Sequence, residues 1–174
     1  PGRVNWAYSI LTEEGKILKF GIWKKTINQF KDVDDFNKNL NDFRAKLDKF
    51  FSNLEKYRYV IVYERMIPRG FNMKLNTAEI VNMCIGLFLG YSSHRNLVPL
   101  TAATWKNFCK KTNIDIKTKT APVHVCDSIR MGLYYLIKSN YIDIKAAKVI
   151  TKKFDSVDHG WKLKSGVWRN LNGK

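Results

Sequence analysis

Acidic side chains are scarce in this chain: 15 Asp and Glu stand against 31 Lys and Arg, a formal net charge of +16 over 174 residues. A folded surface with that imbalance calls for a polyanionic partner, nucleic acid first, with an anionic membrane surface or an acidic protein as competitors. Cysteine is also sparse. Cys84, Cys109 and Cys126 are odd in number, far apart and without C-x-x-C spacing, which argues against a disulfide framework or a zinc ribbon and for a reducing compartment. Long hydrophobic runs are missing as well, since no apolar stretch reaches the ~18 residues of a membrane span and the first residues lack the basic-then-apolar pattern of a signal peptide. The expectation is a soluble, intracellular protein. A chain that opens on Pro1 without methionine reads as a fragment or a trimmed one.

What is present is core material. Hydrophobic residues make up 45% of the chain, with 5 Trp, 8 Tyr and 10 Phe, which excludes a disordered basic tail. The length suits a single domain, 1–174, able to bury a core without metal or disulfide staples.

Trp6–Leu11 and Lys16–Trp23 are β-rich runs on either side of Thr12-Glu-Glu-Gly15, the pattern of a hairpin. Val33, Phe36, Leu40, Phe43, Leu47, Phe50 and Leu54 recur at spacings of three and four, one face of a long helix with Asp32, Asp34 and Asp35 at its start. Tyr57–Tyr63, with the continuous run Val60-Ile-Val62, predicts a buried parallel strand that ends at Glu64. Residues 65–75 read as a basic loop, followed by a helix from Thr77 to about Tyr91. Asn96–Leu100 predicts a strand at an end or edge position because of Pro99. Helix is expected again over Thr101–Lys111, a polar connection over Ile114–Lys119, and then a helix to about Ser139 with Thr120 as N-cap and Pro122 in its first turn. A shorter basic helix covers Ile144–Lys153, and the tail after Asp155 shows no clear period. A hairpin followed by strands alternating with helices indicates an α/β domain on a mixed sheet, with function beyond the carboxyl ends of its strands.

Glu64 falls at such an end, as a cation ligand or as an ordinary strand-end carboxylate paired with Arg65 or Arg69. His124 and Asp127 stand three apart on a helix, on one face, able to share a metal ion; the alternative is a helix start with Asp127 stabilised by the dipole. Val125 and Cys126 turn inward.

These pieces occur in an order that resembles the RuvC-like Holliday junction resolvases of the RNase H-like superfamily, over about residues 1–137. The opening Pro1-Gly-Arg-Val-Asn-Trp-Ala-Tyr-Ser-Ile-Leu11 is similar to the family's first strand and turn, Val60–Glu64 to its second acidic strand, Leu100–Lys106 to the segment that supplies a lysine, and His124–Leu133 to its last catalytic helix. Among subfamilies the chain looks most like viral members such as the poxvirus resolvases.

The resemblance implies an RNase H-like fold, a mixed five-stranded sheet flanked by helices, and a DNA endonuclease that resolves four-way junctions by two-metal hydrolysis with Mg²⁺ or Mn²⁺. Glu64, His124 and Asp127 would hold the two ions, and Lys106 would neutralise charge on the scissile phosphate or be a plain surface lysine. The family's first Asp would stand immediately before Pro1. His124 occupies a place where many relatives carry Asp, which leans the preference toward Mn²⁺. Arg65, Arg69, Lys74, Lys110, Lys111, Lys117 and Lys119 are candidate phosphate contacts and Phe71 a candidate base-stacking residue, each also readable as surface charge or loop anchor.

Trp105, Cys109 and Cys126 read as packing residues. Two-fold symmetry of a junction implies a homodimer, with Met83, Gly86, Leu87 and Gly90 as either interface or core. Residues 138–174 form a basic C-terminal helix and tail. A poxvirus-like kinship would place the protein in the host-cell cytoplasm. Two other readings remain open at this stage: a non-catalytic nucleic-acid-binding module that lacks the first acid, and an RNase H-like nuclease acting on hybrids, flaps or other branched DNA.

Overall fold

Gly15, at φ +82°, closes the turn between β1 (Asn5–Leu11) and β2 (Ile17–Lys24), where its N–H donates to the Thr12 carbonyl and the Thr12 N–H donates to the Lys16 carbonyl. The computed structural model describes residues 5–24, 32–65, 75–91, 96–117, 121–164 and 167–170. Its chain falls into two compact units, Pro1–Trp6 with Trp23–Ala102, and Ala7–Ile22 with Ala103–Lys174.

In the first unit, α1 (Val33–Ser52) starts on Asp32, whose carboxylate accepts from the Asp35 N–H at 2.8 Å. Asp34 and Asp35 in its first turn and Lys49 in its last complement the helix dipole. The buried stripe is Phe43, Leu47 and Phe51. The expected face is therefore right through Leu47 and then turns by one residue, while Val33 is 71% exposed in the first turn and Leu54 lies past the helix end. β3 (Val60–Glu64) pairs in parallel with β4 (Asn96–Leu100), and α2 (Leu75–Tyr91) buries Val81, Cys84 and Ile85. Trp6, Phe43, Leu47, Phe51 and Ile61 complete this core, with the Trp6 ring edge-on to Phe43 at 5.2 Å. Met83 and Leu87 pack against it half-buried, whereas the space beside Gly86 and Gly90 is open.

In the second unit, α3 (Ala102–Thr112) buries Trp105 and Cys109, and α4 (Val123–Lys138) buries Val125, Cys126, Ile129, Leu133 and Leu136. Asp143 caps α5 (Ile144–Asp155) by accepting from the Ala146 N–H at 2.7 Å. The helix turns Ala147, Thr151 and Phe154 inward, and Phe154 stacks on His159 and meets the edge of Phe20.

Three expectations need correction. The strands pair two by two, β1 with β2, β3 with β4, and β5 (Trp161–Lys164) with β6 (Val167–Asn170), so the α/β class holds but no five-stranded sheet forms among the described residues. A turn glycine or an apolar run specifies its own pair; extending a pair needs a further ladder, and Pro99 offers no N–H along β4. The tail expected to be patternless forms the antiparallel β5–β6 pair. Finally, Pro122 at φ −55°, ψ 142° is the N-cap of α4 and sits just outside its first turn, its carbonyl accepting from the Val125 and Cys126 N–H groups. The polar connection after α3 also carries two buried anchors, Ile114 and Ile116, each 1% exposed. No helix among the described residues is long and apolar enough to cross a membrane.

Candidate functional site

β3 and β4 run in register from Val60 opposite Asn96 to Glu64 opposite Leu100, so both strands end at the same level. The Arg65 N–H extends the ladder by donating to the Leu100 carbonyl at 2.9 Å, with its side chain exposed. Glu64 is therefore a partly buried carboxylate at the carboxyl end of a parallel pair, where α/β sheets present functional groups.

In the second unit, the first turns of α4 carry the other candidates. Val125 and Cys126 are fully buried as expected, and this anchors the opposite face, which bears exposed His124 and partly buried Asp127. Both Asp127 oxygens have cationic partners: Arg130 Nη2 donates to Oδ1 at 2.6 Å, and Lys106 Nζ of α3 lies 3.4 Å from Oδ2. Arg130 reaches Asp115 Oδ1 with its other terminal nitrogen at 2.8 Å, so one guanidinium bridges two carboxylates. The Trp105 indole lies under this group, 5.1 Å from Lys106 Nζ and 6.0 Å from the Arg130 guanidinium carbon. Asp127 and Arg130 are 22% and 19% exposed against 53% for Lys106 and 76% for Asp115, so the short, partly desolvated Asp127–Arg130 pair is the strong member of the network.

Of the sequence candidates, Lys106 and Asp127 are thus brought together, and His124 shares the Asp127 face. Arg130 and Asp115 were not expected to take part. The spacing Asp127-x-x-Arg130 carries the signal for the first pair, because residues three apart on a helix are neighbours; Asp115 joins only through the tertiary fold. Lys110 closes the last turn of α3, suited to the helix dipole, and Lys111 is exposed beside it. The Lys117 backbone N–H donates to Asp155 at 2.9 Å. Arg69, Phe71, Lys74 and Lys119 lie outside the described residues.

The three cysteines are buried, and desolvation raises each thiol to about 11, which makes them packing residues and poor nucleophiles. Trp105, 1% exposed, is a core residue in the same sense.

Glu64 in the first unit is a hard oxygen donor, and His124 and Asp127 in the second are an imidazole and a carboxylate, donor types that Mg²⁺ or Mn²⁺ accepts. Each carboxylate oxygen has two acceptor positions, so the contacts with Arg130 and Lys106 leave Asp127 acceptor capacity on both. Among the described residues no three His, Cys, Asp or Glu side chains gather as a ready metal cluster. Comparison of the chain with protein-family models, with curated proteins and with solved structures returns no match.

Proposed function

We propose that the protein is a divalent-metal-dependent, structure-selective DNA endonuclease of the RuvC-like, RNase H-like kind, acting as a homodimer to resolve four-way junctions by paired cuts. The observation that carries this reading is the Lys106–Asp127 contact at 3.4 Å, because it joins the resemblance's lysine segment to its last acidic helix through side chains. Support also comes from Glu64 at the end of the β3–β4 pair and from the +16 charge around so few carboxylates.

Glu64, His124 and Asp127 would hold the metal ions, which when bound supply a Lewis acid that lowers the pKa of water and stabilises the leaving oxygen. Arg130, donating to Oδ1, holds the Asp127 carboxylate in a fixed orientation. Lys106, half exposed, presents a positive charge to an incoming phosphate. The test is competition between a labelled junction, linear duplex and RNA–DNA hybrid at fixed salt with Mg²⁺ or Mn²⁺. Selective cutting of the junction supports the reading, and preferential cutting of the hybrid replaces it with an RNase H-like nuclease of different substrate.

One observation favours a second reading, a non-catalytic nucleic-acid-binding module: Asp127 has a cation on each oxygen and so serves the fold without any metal. In that case Mn²⁺ leaves the thermal midpoint unchanged, whereas a native-state metal site raises it.

A further inference from the structure

Residues 138–174 hold nine Lys and Arg and three Asp, and each Asp accepts from a backbone N–H. Asp143 accepts from the Ala146 N–H, Asp155 from the Lys117 N–H, and Asp158 from the Gly160 N–H while also pairing with Lys162. None of them forms an ion pair with Lys145, Lys148, Lys152 or Lys153 of α5, and among the described residues no other carboxylate does.

On α5 the lysines are arranged as a ridge. Lys145, Lys148 and Lys152 recur at three and four residues, hence on one face, with Lys145 and Lys152 turned away from buried Ala147 and Phe154 and Lys148 at the flank beside Thr151. Lys145 and Lys152 are exposed and Lys148 partly so. Like charges at these spacings repel along a helix, and of the three only Lys152, in the last turn, is offset by the helix dipole, so the stability of α5 does not account for the ridge. At 1.5 Å rise per residue it extends about 10 Å, the axial reach of about three phosphates on one DNA strand.

We infer that the α5 lysine ridge is a second nucleic-acid surface, which grips the phosphate backbone of duplex DNA without reading its sequence. A lipid bilayer is a poorer partner for the same ridge, because an interfacial helix must insert a broad apolar face, whereas Ala147 and Phe154 of α5 are buried in the protein and only Ile144 and Val149 are left exposed. The inference rests on the reading of the protein as one that acts on DNA only for its choice of polymer, and its test needs no cleavage.

The experiment measures binding of a linear duplex in EDTA from about 50 to 200 mM salt by the wild-type chain, by Lys145→Gln/Lys148→Gln/Lys152→Gln and by the matching triple Arg variant. The Gln variant is expected to bind about tenfold or more weakly, with a log–log salt slope shallower by about two to three, and the Arg variant to bind as the wild type does. Equal affinity and slope for the Gln variant and the wild type overturn the inference. Loss of binding to phosphatidylserine vesicles without loss of duplex binding also overturns it, in favour of a membrane surface. Junction cutting by the Gln variant, read separately with metal present, reports on the nuclease reading and not on the ridge.

Discussion

Arg130 Nη2 lies 2.6 Å from Asp127 Oδ1, whereas Lys106 Nζ lies 3.4 Å from Oδ2 of the same carboxylate. The shorter contact joins two partly buried groups and the longer one ends on a half-exposed lysine, so their contributions to stability separate. Arg130→Met is expected to destabilise the chain by about 1–3 kcal/mol, the cost of removing a hydrogen bond to a charged group. Lys106→Met should cost about 0–1 kcal/mol, as exposed ion pairs do. Urea midpoints at unchanged slope measure both, and a larger loss at Lys106 than at Arg130 contradicts the ranking.

The parts of this fold legible in the sequence are those specified locally. Gly15 between two β-rich runs marks the hairpin, Asp32 before a three-and-four pattern marks α1, and Val60-Ile-Val62 marks a parallel strand. The β5–β6 pair is not legible in the sequence, although Ser165-Gly166 stands between two Trp-bearing segments, because lysines and glycines on both sides obscure the pattern. The pairing of strands into larger sheets, the burial of Ile114 and Ile116, and the reach of Arg130 to Asp115 depend on residues distant in the chain, which no local period encodes. The site was legible as residue types in order, and its wiring through Arg130 only as an i,i+3 spacing.

Two glycines should respond to alanine with opposite signs. At Gly15 the backbone has φ +82° and an added Cβ would stand 2.5 Å from Ile150 Cδ1, so Gly15→Ala is expected to cost more than about 1 kcal/mol. At Gly86, inside α2 with nothing within 4 Å, alanine is expected to stabilise by about 0.5–1 kcal/mol through helix propensity. Denaturation midpoints of the two variants check the signs.

Burial holds the Cys84, Cys109 and Cys126 thiols at about 11 in the folded chain, above an unfolded value of about 8.5. Between these values the unfolded chain has released protons that the native chain retains, so stability falls as pH rises through that window. Below about pH 8 the thiols leave stability flat. Denaturant midpoints are expected to be equal for pH 7 and 8 and to drop by pH 10, and iodoacetamide at pH 8 to label the unfolded chain much faster than the native one. Rapid native labelling contradicts the buried, protonated state.

The core itself sets the scale for these effects. Phe43 and Leu47 are fully buried in the first unit, so truncation to alanine is expected to cost about 3–5 and 2–5 kcal/mol respectively, at or above the upper end of the range for the Asp127 network. Equilibrium unfolding of the two variants measures this.

The central proposal is tested most directly by incubating a chain that carries aspartate ahead of Pro1 with an end-labelled four-way junction and Mn²⁺. The account predicts paired nicks at symmetry-related positions, lost in Glu64→Gln and in Asp127→Asn variants whose circular dichroism matches the parent. Absence of symmetric nicks from the parent chain, or cutting by folded Asp127→Asn at the parent's rate, contradicts it.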